Sequence, residues 1–357
     1  MTPGTEDAPS RSFAELEQDL PLLAQRYELS QLHGWSYLPH GLMNPNWQVT
    51  ADAGVFALKR LVDVSAERAE RNLAMPQALV SAGIPACVAR PADDGSLVVQ
   101  VSENHAYALF DWVIGEHIPG GELTVAQAAY LGDLLGRLHV AMEQAARDIG
   151  WPEAAETVRS KVAASQEALA EVDWFNELIA ALPERDAFDL AVAQDLEQRR
   201  VMLGKHASRR PNDDLPLGPC GWTHGDFQYR NLIWSDGQVS AILDWDRVGV
   251  RALAEEVVRT AAVQFAHDDG VVDVQRIEAF VEAYRSVLPL KDEHLIDAAY
   301  RLWWRWLTDL WPLNWHYERG DFSCDSLWSG QARLLAWWCD HVEDIDAALT
   351  GGEICRG

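Results

Sequence analysis

Apolar positions recur at helical spacing from about residue 12 to 27, after which the pattern changes to short β-like runs. Residues 36–50 predict a strand, a tight turn rich in Gly, Asn and Pro, and a returning strand. Asp52-Ala53-Gly54 then turns the chain into Val55-Phe56-Ala57-Leu58-Lys59-Arg60. A helix is expected over residues 65–82, closed by Gly83-Ile84-Pro85 and kinked near Pro76. A strand pair near 97–100 and 107–113 leads through Ile114-Gly115-Glu116, a natural hinge into a helical region.

From there the period is 3.6. Ala128, Leu131, Leu134, Leu135 and Leu138 form an apolar stripe over residues 125–142. Two further helices are expected at 152–172 and 174–206, ahead of a polar, Pro-rich loop at 208–219. Two β-rich runs, Leu232-Ile233-Trp234 and 239–243, flank Ser235-Asp236-Gly237-Gln238, and an Asp-Gly pair in that setting predicts a tight hairpin. The last hundred residues read as helical and rich in tryptophan, with Trp304, Thr308, Trp311 and Trp315 at helical spacing, first of all a core stripe.

With 357 residues and 48% hydrophobic composition, the chain can bury a sizeable core in two or more lobes. Residues 1–10 read as a disordered tail, with no apolar segment of the kind a secretion signal needs. No apolar run is long enough to span a membrane. The five cysteines are scattered and lack metal or disulfide spacing, so a reducing cytoplasm is the expected location. A net charge of -26 argues against nucleic acid as a partner. It also means that any bound phosphate needs local positive charge.

The hairpin carries the chemistry. Asn231 opens its first strand and Asp244 follows its second, so folding the hairpin brings an amide oxygen and a carboxylate within reach of one ion. Such hard oxygen donors suit Mg2+, which takes its other ligands from phosphate and water. Asp226, five residues before Asn231, is placed to accept a proton from an attacking hydroxyl. Lys59 is one of only four lysines among 29 basic residues and falls on an expected central strand, where a compact ammonium can sit between phosphates. Asn44 and Asn46 in the preceding turn, with Phe110 and Trp112 on the strand before the hinge, are further nucleotide-binding candidates.

His224-Gly225-Asp226, four residues, Asn231, hairpin and Leu243-Asp244-Trp245-Asp246 resembles the catalytic and metal loops of protein kinases. Together with Gly132-Asp133-Leu134-Leu135-Gly136-Arg137-Leu138-His139, it is similar to the aminoglycoside phosphotransferase and choline kinase-like family. That resemblance implies an α+β, bilobal protein-kinase-like fold. A nucleotide-binding lobe is expected over 11–115 and a helical lobe with the catalytic hairpin and substrate site over 116–357. It implies Mg2+, ATP or GTP as donor, Asp226 as base, Asn231 and Asp244 as metal ligands, Lys59 on the α- and β-phosphates, and His224 fixing the catalytic loop. Arg230 and Glu256 are supporting residues, Glu256 standing where the family often has an aspartate. The lysine's usual glutamate would fall near Asn72; Glu70 is the expected partner instead.

The expected reaction is transfer of a γ-phosphoryl group to a hydroxyl of a small molecule. An antibiotic of aminoglycoside or nucleoside type is the first expectation, because acidity suits a cation and the tryptophans suit a ring. An amino alcohol such as homoserine or choline is the alternative, and a kinase-fold binding protein without catalysis is the third. Asp246, Trp315, Tyr317 and Asp321 are the candidate acceptor contacts.

Overall fold

The computed structural model describes residues 7–39 and 43–352, and the chain divides into two compact units. The first comprises residues up to His117 with Gln144–Trp151 and Asn231–Val248; the second comprises Ile118–Glu143, Pro152–Arg230 and the chain from Gly249 onward.

The first unit is built on an antiparallel sheet. Strands β1 (Leu32–Leu38), β2 (Asn46–Ala51), β3 (Gly54–Arg60), β4 (Val98–Ser102) and β5 (His105–Asp111) lie in the order β1-β2-β3-β5-β4. Side chains alternate between faces, as the pleat requires. Phe56, Leu58, Tyr107 and Leu109 pack with Leu16, Leu20 and Leu23 of α1 (Asp7–Arg26). Ala106 and Ala108 join Ala69 and Leu73 of α2 (Ala66–Ser81) on the opposite face. Lys59 alternates with Leu58 and so shares the α2 face, on the central strand of the sheet.

Helix α1 begins at Asp7, earlier than its apolar period suggests, so residues 7–10 of the expected tail are helical. Pro9 falls in the first turn, where no backbone donor is needed. Residues 1–6 lie outside the described residues, as do His40, Gly41 and Leu42 of the expected turn.

Hairpin strands β7 (Leu232–Ser235) and β8 (Gln238–Ile242) complete this unit. Their two-residue turn is Asp236-Gly237, with φ of 51° and 76°, the doubly left-handed turn that matches strand twist and favours Gly second. The hairpin is clasped on both sides: Cys87 N donates to Ile242 O at 2.9 Å, and Trp234 N donates to Glu116 O at 2.8 Å.

The second unit is helical apart from one antiparallel ladder, β6 (Cys220–Thr223) with β9 (Gly249–Ala252). Its helices are the larger part of α3 (Val125–Asp148), then α4 (Ser165–Ala180), α5 (Ala187–His206), α6 (Leu253–Gln264), α7 (Val274–Val287), α8 (Asp292–Thr308), α9 (Trp311–Asn314), α10 (Asp325–Asp340) and α11 (Val342–Thr350). The α3 stripe is fully buried at Leu131, Leu134, Leu135 and Leu138. Helix α6 is its most enclosed element: Leu253, Ala254, Glu256, Val257, Val258, Thr260, Ala261 and Ala262 are all buried.

Two expected boundaries move. The helix expected at 152–172 starts only at Ser165, and the one expected at 174–206 is two helices interrupted near Pro183. Proline removes a donor and displaces its predecessor from helical geometry, and Asp186 restarts the chain with a reciprocal cap to Asp189. The Trp304-to-Trp315 stripe is likewise broken, since α8 ends at Thr308 and residues Trp315–Arg319 form a π-helical turn.

Helices α3 and α7 approach so closely that a Cβ on Gly132 would lie 1.9 Å from the Phe280 carbonyl oxygen. Gly132→Ala is therefore expected to destabilise the protein by about 1–3 kcal/mol. Gly204→Ala in α5, where nothing lies within 4 Å, should instead stabilise by up to about 1 kcal/mol. Urea unfolding of the two variants measures the opposite signs.

Candidate active site

In the first unit the hairpin ends in a kinked loop. Leu243 N donates to Asn231 O at 2.8 Å, so Asn231 faces Leu243 across the ladder and Asp244 is one residue beyond. Asp244 takes a left-handed backbone, φ 59° and ψ 75°, a conformation that Asp tolerates better than most residues. Its carboxylate stays 39% exposed, turned out of the core.

Lys59 completes this cluster. Its Nζ lies 2.7 Å from Asp244 Oδ1 and 2.7 Å from Asp246 Oδ2. Burial disfavours the ammonium, but the charges and hydrogen bonds of the two carboxylates outweigh it and raise the Lys59 pKa. Asp246 is raised as well, chiefly by burial and also by neighbouring Asp244, with Lys59 opposing.

Two asparagines fasten the cluster. Asn44 Nδ2 donates to Asp246 Oδ2 at 2.9 Å while its Oδ1 accepts from Val62 N and Asp63 N. Asn72 Nδ2 donates to Asp246 O at 2.9 Å from α2, at the position where a kinase glutamate was expected to fall. Asn46 Nδ2 donates to Asn44 O. Phe110 packs on the α2-side cluster, and Trp112 beyond β5 is exposed.

These contacts correct two expectations. Glu70 does not pair with Lys59: its carboxylate accepts from Leu97 N and Val98 N, holding the start of β4. Helix phase explains this, because Asn72 rather than Glu70 faces the Asp246 loop. Asp246 is itself buried and paired with Lys59, so it belongs to the cation cluster and not to an acceptor-facing surface.

Among the described residues no group of three or more His, Cys, Asp or Glu forms a cage for a metal. The donors present are an amide and an exposed carboxylate, Asn231 and Asp244. That set fits Mg2+ held mainly by phosphate and water.

In the second unit, three residues on one face of α6 hold the loop His224 to Phe227. Glu256 accepts from His224 N at 3.0 Å and from Gly225 N. Thr260 Oγ1 donates to Phe227 O at 2.9 Å. Arg259 Nη2 donates to Asp226 Oδ1 at 2.6 Å. Positions 256, 259 and 260 have the i, i+3, i+4 spacing that places side chains on one face. The buried His224 ring accepts from Asp226 N through Nδ1 at 3.2 Å, closing the loop on itself.

Glu256 is tied from behind by His139, whose Nε2 is 2.8 Å from Oε2. An ionised carboxylate only accepts, so Nε2 carries the proton. His139 Nδ1 lies 2.8 Å from the Tyr284 hydroxyl, whose pKa is raised by burial and which therefore remains a donor. Burial opposes ionisation of Glu256, yet the hydrogen bond from His139 and the positive charge of Arg251 help to hold its pKa down to about 2.

The remaining candidates are occupied locally. Arg230 is exposed, with its Nε donating to Tyr229 OH at 2.9 Å. Trp315 and Tyr317 lie in the π-helical turn and Asp321 just after it: Arg319 lies over the Trp315 ring, Tyr317 OH donates to Asp189, and Asp321 N donates to Trp315 O. Arg259, Thr260 and Asn72 were missed as site residues. The i, i+3, i+4 pattern around Glu256 was the available signal for the first two.

Glu256→Gln should reduce stability by about 2–4 kcal/mol near neutral pH, since it removes a buried, multiply bonded carboxylate. A depressed carboxyl stabilises above its unfolded pKa and loses that contribution as pH falls through the folded one. The gap between the two proteins should thus hold steady down to the ordinary value of 4.5 and shrink as pH falls toward about 2. Denaturant midpoints measured across that range provide the check.

A model of the phosphotransferase enzyme family matches residues 34–290. A homoserine kinase of Burkholderia lata is 26% identical over 321 residues, covering 83% of this chain and 86% of that protein. An amicoumacin kinase solved with AMP-PNP and Ca2+ superposes with a TM-score of 0.56 at 14% identity, covering 97% of this chain and 98% of its own. A spectinomycin phosphotransferase solved with ADP and spectinomycin gives 0.55 at 15% identity, covering 88% and 98%. At such identities the two structures speak for the fold, which is protein-kinase-like, with a small antiparallel sheet and a larger helical part. No helix among the described residues is long and apolar enough to cross a membrane. The chain belongs to the phosphotransferase enzyme family and is a small-molecule kinase.

Proposed function

We propose that this kinase transfers the γ-phosphoryl group of a Mg2+-bound nucleoside triphosphate to the side-chain hydroxyl of a small amino acid or amino alcohol of the homoserine type. The observation that carries the phosphoryl-transfer reading is the Lys59 ammonium 2.7 Å from Asp244, on the hairpin that also presents Asn231. In this reading Lys59 turns to the donor phosphates, and Asn231 and Asp244 hold Mg2+, which neutralises charge on the transferring group. Asp226, fixed from α6 and by His224, orients the acceptor hydroxyl and takes its proton.

The acceptor assignment reverses the order of the sequence expectations. Relatives over most of the chain include homoserine kinases, whereas the antibiotic kinases share the fold at 14–15% identity. One observation favours an aminoglycoside as the second reading: the net charge of -26 attracts polycations.

A phosphorylation screen with MgATP and MgGTP decides between them. Homoserine, choline, aminoglycosides and nucleoside antibiotics are offered separately and read by mass spectrometry. Homoserine should gain one phosphoryl group. Turnover confined to the antibiotics would replace the first reading by the second. Asp226→Asn should lower turnover by about two to four orders of magnitude and leave nucleotide affinity within about threefold. Comparable turnover in that variant would remove Asp226 from the chemistry.

A further inference from the structure

Arg259 is an unusual residue for its place. Between Leu253 and Ala262, helix α6 is buried except at Glu255 and Arg259, which are partly exposed. The ordinary partner of an exposed helical arginine would be the carboxylate four residues before it. Here Glu255 is engaged by Ser160 Oγ at 2.7 Å and by Arg305 at 3.5 Å. Arg259 instead reaches Asp226, at 2.6 Å, with its side chain 29% exposed.

That contact uses one N–H. A guanidinium carries five donors in a planar fork, and among the described residues the Asp226 bond through Nη2 is the only one Arg259 makes. If its task were only to orient Asp226, a neutral donor would serve. A flat cation with most of its donors open, beside the proposed base, is suited to bidentate capture of a carboxylate.

Charge points the same way. A net charge of -26 repels anionic acceptors at long range, so an acceptor acid needs a local cation. A polycationic acceptor would bring a like charge against Arg259. We propose that Arg259 is the receptor for the acceptor's carboxylate, and that the acceptor class is small hydroxy acids whose hydroxyl is directed to Asp226. The inference rests on the reading of Asp226 as the base. Adding hydrogen-bond lengths of about 2.8 Å at each end to the 2.6 Å Arg259–Asp226 contact caps the separation of the acceptor's hydroxyl and carboxylate at about 8 Å, and bending at each hydrogen bond brings it below that limit. A chain of two or three carbons between them fits within it.

The experiment uses acceptor pairs that differ only in the carboxylate: homoserine with 3-aminopropan-1-ol, serine with ethanolamine, and 4-hydroxybutyrate with propan-1-ol. Wild-type protein, Arg259→Gln and Arg259→Lys are assayed with MgATP, and KM and kcat are determined separately. Wild type should prefer the carboxylate member at least about thirtyfold in kcat/KM. In Arg259→Gln that preference should fall to near unity, chiefly through KM for the acid, and Arg259→Lys should restore part of it.

Loss of turnover by the same factor for both members of a pair would make Arg259 a positioning residue for Asp226 and overturn the inference. So would a rise in KM for the nucleotide with the acceptor ratio unchanged. Turnover of a different hydroxy acid, with the ratio collapsing in Arg259→Gln, would support the inference while ending the homoserine reading. Turnover restricted to acceptors without an anionic group would end the inference and leave the kinase assignment intact. No turnover of any acceptor would end both acceptor readings.

Discussion

A buried ammonium held between two carboxylates is the interaction on which the first unit depends. Lys59 joins β3 to the loop after β8, and Asp246 passes that connection on to Asn44 before β2 and to Asn72 on α2. Four separate stretches of chain therefore converge on one ion cluster. Burying a charge is tolerable only when it is paired and hydrogen-bonded, and Asp246 is both, so the stretches are held in one arrangement by a common requirement. Removing the ammonium would leave Asp246 buried without its counter-charge, at a cost of about 3–5 kcal/mol. The cluster is thus structural in its own right, and in the proposed function the exposed carboxylate of Asp244 is the part left for chemistry.

The second unit solves the same problem with the signs exchanged. Glu256 is a buried anion, and its oxygens take up two backbone donors of the loop from His224 to Phe227 and one imidazole. His139 and Tyr284 stand behind it, the imidazole bonding the carboxylate on one side and the phenol on the other. Because Glu256, Arg259 and Thr260 lie on one face of α6, a rigid buried helix sets the loop conformation at three points. The loop needs no regularity of its own.

What could be read from sequence divides along the same physical line. The hairpin was legible because Asp236-Gly237 specifies a turn type; the turn sets the register as far as Trp234 and Val239, and a bulge at Ser240 then shifts it by one residue to bring Asn231 opposite Leu243. The α3 stripe was legible because burial there is periodic. The partner of Lys59 was not, since nothing local distinguishes Glu70 from Asn72 until α2 is docked and its phase is known. Asp246 misled for a related reason: a carboxylate two residues from an exposed one looks exposed, but the left-handed backbone at Asp244 turns the chain inward. Arg259 was invisible because its partner is 33 residues away and its nearer carboxylate, Glu255, is the one periodicity would choose.

The acidity of the chain gives these two cations their meaning. Lys59 and Arg259 each rest on a carboxylate of the same unit, Asp244 with Asp246 for one and Asp226 for the other. An unpaired cation near the surface would draw in nearby anions without discrimination, even though the net charge of -26 repels them at long range. A cation already paired must exchange its partner, so only an anion that also satisfies the surrounding donors gains enough to compete. The phosphate chain of a nucleotide meets that condition at Lys59 if the metal takes over the Asp244 carboxylate. A carboxylate meets it at Arg259 without breaking the Asp226 bond, because the remaining N–H donors can receive it. Selectivity at Lys59 then comes from the cost of exchange and at Arg259 from the fixed geometry of the remaining donors, so a strongly acidic surface is compatible with binding two anions.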